Sequence, residues 1–301
     1  MKNHTIRTLL VVSFTILFIS LSTAHASVHI DEMGRRVAIP SRPERIVSLA
    51  PNITEILFAL GLGAETVGVT MFSDYPKAAG SKSIVGSFVN ISLEKVVSLN
   101  PDLIIGTADG NRKETVEQLE QIGFPVYVIN PGNFEEILET ILNIGTITGH
   151  EEQAKEVVHN LQERINRVVS LTKDLKKPGV FFQTGIDPVV TVGRNTLQDS
   201  LIKLAGGVNI YGDVTTRYPR CGMEEVVARK PDIIIVSSMK RGGDFSRVRN
   251  RWMKWKNIPA VKNNRIYIIQ ANLVDHSSPR IVDGLEEIVK IIHPAATTRK
   301  D

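Results

Sequence analysis

Apolar residues in this chain fall into short unbroken runs separated by stretches of helical periodicity. Two segments repeat this arrangement almost residue for residue. Residues 93 to 105 read Leu-Glu-Lys-Val-Val-Ser-Leu-Asn-Pro-Asp-Leu-Ile-Ile, and residues 223 to 235 read Met-Glu-Glu-Val-Val-Ala-Arg-Lys-Pro-Asp-Ile-Ile-Ile. Each predicts a short helix, a Pro-Asp turn and a strand. The run after Pro-Asp lacks polar alternation, as expected of a parallel strand covered on both faces. The flanks echo one another too. Arg45–Ala50 reads as a strand leading into a helix over Asn52–Leu60, where Asn52 and Glu55 fit a capping box and Gly61 a C-terminal stop. Val180–Gln183 reads as a strand, and Thr196–Ala205 as a helix stopped by Gly206-Gly207. Val126–Asn130 matches Ile266–Gln270. Alternating strands and helices imply βαβ units. The expected fold class is α/β, with two Rossmann-like lobes built on mainly parallel sheets.

Between the halves, Ala154, Val157, Val158, Leu161, Ile165, Val168 and Val169 recur at steps of three and four, one apolar face of a helix over 151–175. Such a helix would be roughly 36 Å long and ends at Lys176-Lys-Pro-Gly179. The domain organisation is therefore a leader over 1–26, a first lobe over 27–150, a connecting helix over 151–175 and a second lobe over 176–301. Two lobes on a stiff connector leave a cleft. In open α/β sheets, ligands sit beyond the carboxyl ends of the strands. The segments expected to line the cleft are Ser48–Asn52, Met71–Pro76, Gly86–Asn90, Thr107–Asn111, Gln183–Asp187, Thr215–Arg220 and Asn272–Arg280.

The N-terminus changes the picture of where this happens. Lys2 and Arg7 precede an apolar run from Leu9 to Leu21, and Ala24-His-Ala26 follows, the three-part plan of a cleaved signal peptide. The run is shorter than the roughly 20 residues a spanning helix needs. Cleavage is expected before Ser27, giving an exported protein. Losing Lys2 and Arg7 lowers the formal charge from +4 to +2, which is not a nucleic-acid-binding balance. The basic stretch from Lys240 to Lys256 reads as a solvated face. Cys221, the single cysteine, excludes an internal disulfide and reads as a small apolar core residue.

Catalytic signatures are missing. The chain has no Gly-x-Ser-x-Gly, no phosphate loop and no His-Glu-x-x-His; His150-Glu151 is followed by Lys155 where a second His would stand. The seven His show no metal-ligand spacing. The reading is a binding module, with no catalytic residue, metal or cofactor; an exported α/β enzyme and a ligand sensor for a membrane partner are the readings from other classes.

Arg45-Ile-Val-Ser-Leu-Ala-Pro-Asn-Ile-Thr-Glu55, Ser73-Asp-Tyr-Pro76, Leu93-Glu94, Asn100-Pro-Asp102, Pro231-Asp232 and Ser278-Pro-Arg280, in that order, resemble the helical-backbone class of periplasmic binding proteins. The likeness runs from about residue 28 to 293. It implies a periplasmic receptor for an ABC permease–ATPase complex in the inner membrane, with cobalamin as the transported ligand and a ferric siderophore or haem as alternatives. By that resemblance Tyr75, Phe88, Thr184, Tyr218 and Arg280 are ligand-binding positions, and Glu94 and Glu224, one on each lobe, meet arginines of the permease. Asp275 and His276 fall at the rim. Arg217, Arg220 and Arg280 could supply charge to an anionic siderophore complex, and Tyr75, Tyr218 or His276 an axial ligand to haem. Trp252 and Trp255 match structural positions of the second lobe.

Overall fold

The computed structural model describes residues 26–238 and 245–297. All of the expected leader but Ala26, and the start of the basic stretch, lie outside the described residues. The chain opens with an antiparallel hairpin of β1 (Ala26–Ile30) and β2 (Arg36–Pro40). The first lobe follows with β3 (Ile46–Ser48), α1 (Pro51–Ala59), β4 (Thr66–Val69), β5 (Ser83–Ile84), α2 (Leu93–Ser98), β6 (Leu103–Thr107), α3 (Lys113–Gln121), β7 (Val126–Ile129) and α4 (Phe134–Thr148). Its strands are all parallel, in the order β5-β4-β3-β6-β7. After α5 (Glu151–Thr172) the second lobe contains β8 (Gly179–Ile186), β9 (Val189–Thr191), α6 (Leu197–Leu204), β10 (Val208–Asn209), α7 (Met223–Arg229), β11 (Ile233–Ser238), α8 (Phe245–Met253), α9 (Pro259–Lys262), β12 (Ile266–Gln270), α10 (Ala271–Val274) and α11 (Ile281–Ile292). There β10-β8-β11-β12 run parallel, and β9 adds antiparallel to β8.

The two Pro-Asp turns have a shared physical job. The Asp102 carboxylate accepts the backbone N–H groups of Glu44 and Arg45 at 2.7 and 2.9 Å, and Asp232 accepts that of Gly179 at 2.8 Å. In each lobe the turn thereby fastens the entry of the neighbouring strand. The strands are covered on both faces, as their unbroken apolar runs require. Leu103 and Ile105 belong to the core shared with α1 and α4, whereas Ile104 packs with Val96 of α2 and Val116 and Leu119 of α3. Phe182, Ile233 and Ile235 face α6 and α11, while Phe181, Ile234 and Val236 pack with Val226 of α7 and Val248 and Trp252 of α8. Each fully buried side chain of this size contributes about 1.5–3 kcal/mol of transfer free energy. Trp252 is buried with its indole N–H donated to Gln183 Oε1 at 2.9 Å, and Trp255 is half-buried. Cys221 is half-buried against the same core, and burial pushes its thiol pKa up.

One core cluster passes from lobe to lobe through α5. Ala154, Leu161, Ile165 and Val168 belong to the same cluster as Ile46 of the first sheet and Val180 of the second. The expected helix ends early, at Thr172, with a turn over 173–175, and Val169 is exposed rather than part of the buried face. Gly145 of α4 lets α5 approach closely, since a Cβ there would collide with Ala154. On the other side, Arg164 donates to both carboxylate oxygens of Glu286 at 2.9 and 2.8 Å and to Asp283 at 2.6 Å, binding α5 to α11. With no Gly or Pro inside it, α5 has no internal hinge. No helix among the described residues is long and apolar enough to cross a membrane.

The capping box at the start of α1 is not formed. Ala50 is the N-cap without a side-chain bond, and Pro51 opens the helix, where its fixed φ and missing N–H cost nothing. Glu55 is thereby released from the helix end and turns toward the second lobe. The helix stop is as expected: Gly61 has φ +82°, its N–H reaches Phe58 O, and the N–H of Leu62 reaches Leu57 O.

Candidate functional site

The carboxyl ends of β3, β5 and β6 deliver three loops to the cleft, and one side chain stitches them together. Asn111 is buried; its Oδ1 accepts Thr107 N–H at 2.8 Å, and its Nδ2 donates to Leu49 O at 2.9 Å and Phe88 O at 2.8 Å. The Phe88 ring lies so close to Gly110, at φ +121°, that no Cβ fits there.

These loops face the segment 275–277 of the second lobe across a cavity of about 280 Å³. Phe72, Phe88, Asp109 and Asn130 form the first-lobe wall, and Asp275, His276 and Ser277 the opposite one. Asp275 receives Ser237 Oγ at 2.8 Å and Gln198 Nε2 at 2.7 Å; burial nonetheless raises its pKa above the ordinary carboxylate value. A larger open groove of about 710 Å³ runs outside the cleft along α5, lined by Phe58, Val157 and Arg164 and bounded by Tyr75 and Arg280. The cavity, not the groove, lies at the strand ends between the lobes, where an open α/β fold places its ligand.

Cavity and groove meet at a polar knot. Glu55 of α1, 5% exposed, is approached by three groups of the second lobe. Ser278 Oγ donates to its Oε2 in a short bond, while Arg280 Nη1 and His276 Nδ1 each lie 3.3 Å from Oε1. The Arg280 guanidinium also stacks on the Tyr75 ring, 3.9 Å from its centroid.

The ligand-binding positions implied by the family resemblance are not all gathered in one place. Phe88 lines the cavity. Tyr75, 46% exposed, and Arg280 form its shoulder toward the groove. Tyr218 keeps about half of its surface in solvent on the second lobe, beneath Arg217, 5.8 Å from its ring centroid; partial burial of the hydroxyl end raises its pKa, Arg217 opposes this, and the Asp109 and Asp275 charges add to it. Thr184 is half-buried at the end of β8, its hydroxyl 3.4 Å from Val190 O, and lines neither space. Arg217 and Arg220 are exposed and also line neither. Glu94 and Glu224 stand exposed in the first turns of α2 and α7, at matching positions of the two lobes. Reasoning from sequence did not single out Glu55, Asn111, Phe72 or Asp109. The last three sit inside segments expected to line the cleft. Glu55 was assigned to a helix cap.

A family profile described as "Periplasmic binding protein" matches residues 46–273. The vitamin B12-binding protein of Yersinia pestis is 30% identical over 245 residues, covering 81% of this chain and 85% of its own. Among solved structures, the periplasmic vitamin B12 binding protein of Vibrio cholerae superposes with a TM-score of 0.73 at 28% identity, over 86% of this chain and all of its own. A periplasmic heme-binding protein from Roseiflexus sp. RS-1 superposes with a TM-score of 0.75 at 27% identity, over 84% and 99%.

Asn111→Ala leaves the backbone groups of Leu49, Phe88 and Thr107 without their partner. Chemical denaturation should register a loss of about 1–3 kcal/mol. An unchanged midpoint would mean that these loops are held by something else.

Proposed function

The chain belongs to the periplasmic binding protein family, and from that premise we propose that its cleft takes up cobalamin and delivers it to an ABC permease–ATPase complex in the inner membrane. The observation that carries this reading is the lining of the cavity. Phe72 and Phe88 offer apolar faces, Asn130 and Ser277 offer neutral hydrogen-bonding groups, and the titratable groups on its wall are the acids Asp109 and Asp275 with His276. A corrin has apolar faces and amide-bearing edges and suits such a lining. It is larger than the cavity, so it would extend into the open cleft between Tyr75 and Tyr218. An anionic ferric siderophore would meet two carboxylates instead. The vitamin B12-binding relatives support the same choice.

Haem is the second reading, and His276 favours it. Glu55 engages Nδ1 of this cavity-lining histidine, which leaves Nε2 as the nitrogen available to an iron. The heme-binding structural relative supports this alternative within the same class.

Delivery, in this reading, uses Glu94 and Glu224. A carboxylate in a helix first turn contributes about 0.3–1 kcal/mol to its own helix, which would be reason enough for its presence. Yet one exposed acid at the matching position of each lobe also suits a partner with two-fold symmetry and paired cations. Export would precede this, with the leader removed before Ser27 and the mature protein released to the periplasm.

Titration calorimetry decides among the ligands. Cyanocobalamin should bind the mature protein with sub-micromolar affinity, about −8 kcal/mol or better. Phe88→Ala and Tyr218→Ala should each weaken it by about tenfold, the worth of a stacked aromatic. No heat with cyanocobalamin but saturable binding of haemin would transfer the assignment to haem. For delivery, a Glu94→Lys/Glu224→Lys double variant should abolish cobalamin-dependent growth while retaining ligand affinity, since a charge pair broken in an interface costs about 2–5 kcal/mol. Normal growth would reduce the two acids to helix-end charges.

A further inference from the structure

Arg280 is the basic side chain at the shoulder of the cavity, and its charge does not stand free. Its side chain is 12% exposed and that of Glu55 3%. The guanidinium is held between the Glu55 carboxylate and the face of Tyr75. The carboxylate is fixed in turn by Ser278, which is fully buried, and by His276. A carboxylate this deep cannot remain ionised without partners, and each partner it recruits comes from the segment 276–280. An approaching ligand therefore meets Arg280 as a neutralised ion pair, at the edge of a cavity whose wall carries Asp109 and Asp275.

We propose that Glu55 is the specificity-determining residue of this cleft: by positioning and neutralising Arg280 it turns the site against anionic chelates and toward neutral, amide-bearing ligands. The inference rests on the cobalamin reading for the identity of the favoured ligand, but its electrostatic core does not. Selectivity between two ligands is a difference of affinities, and an uncompensated repulsion serves it as well as an attraction. Without Glu55, Arg280 would be a partly buried cation lacking a partner, and an anionic ligand would supply the missing charge. Glu55 acts through Arg280 and is a positioning residue.

Glu55→Gln keeps the side-chain volume and an acceptor for Ser278 while removing the charge. Two probes suffice: cyanocobalamin, and a trianionic ferric tris-catecholate chelate, each titrated by quenching of intrinsic fluorescence. In Glu55→Gln the ratio of chelate affinity to cyanocobalamin affinity should rise by about tenfold, the scale of one unmasked charge near a protein surface. The rise should vanish in Glu55→Gln/Arg280→Gln and be absent in Glu55→Asp, which keeps the charge. An unchanged ratio in Glu55→Gln, or a gain that survives loss of Arg280, overturns the proposal. If Glu55→Gln does not fold, as judged by its circular dichroism melt, the wild type still provides a test. Raising salt screens a cleft whose net charge repels the chelate, so chelate binding should strengthen; weakening with salt would mean that Arg280 acts as a free cation and the proposal fails. Absence of cyanocobalamin binding to the wild type would remove the cobalamin assignment alone, because chelate affinity by itself should then rise in Glu55→Gln and not in Glu55→Gln/Arg280→Gln, and a failure of that rise would overturn the role of Glu55.

Discussion

A buried carboxylate must have partners, and in this protein that requirement joins the two lobes. Glu55 leaves water on α1 of the first lobe and finds its donors on the segment 276–280 of the second, more than two hundred residues along the chain. The same segment turns His276 and Ser277 to the cavity and Arg280 to Tyr75. The placement of the basic group and the charge a ligand meets are thus consequences of one desolvated acid. Breaking such a pair by removing one member is costly, because the other is left buried and unmatched.

The rest of the architecture keeps that geometry from drifting. A single apolar core runs from one sheet to the other through α5, and the Arg164 ion pairs fix this helix to α11, which begins directly after Arg280. Movement of one lobe would have to disturb side chains packed at both ends of α5. A preformed cleft loses little freedom when it takes up a rigid ligand. The cleft is correspondingly simple in its chemistry: aromatic faces, amides and hydroxyls, and acids, on loops held by buried bonds such as those of Asn111.

Much of this was legible in the sequence because the signals were local. Short β-branched runs such as Ile233–Ile235, set off by Pro-Asp turns, read as strands covered on both sides, and the turns recur because Asp102 and Asp232 do the same work. The connecting helix was visible in its three-and-four spacing, although that pattern could not tell that Val169 would stay in solvent. Most loops of the cleft followed from topology, but Gln183–Asp187 and Thr215–Arg220 line no part of the cavity, and Asn130, which does, lies outside the expected segments. What escaped was long-range. Asn52 and Glu55 have the spacing of a capping box, and only Pro51 at the first helical position, together with donors from a distant segment, reveals that Glu55 serves elsewhere. The β1–β2 hairpin was missed as well. Its turn is built by Asp31 accepting the N–H groups of Met33 and Arg35, with Gly34 at φ +78°, and no apolar run announces it. Asn111 gave no signal, since nothing in its neighbourhood predicts three separate backbone partners.

The central claim is that the space between the lobes receives the ligand while the Glu55 knot stays closed. A crystal structure of the mature protein with cyanocobalamin tests this most directly. The account predicts the corrin against Phe88 and Tyr218, with its edge near Asp275 and Arg280 and with Ser278 and Arg280 still bound to Glu55. A corrin seated in the groove along α5, or bound in the cleft with Arg280 drawn away from Glu55, would contradict it.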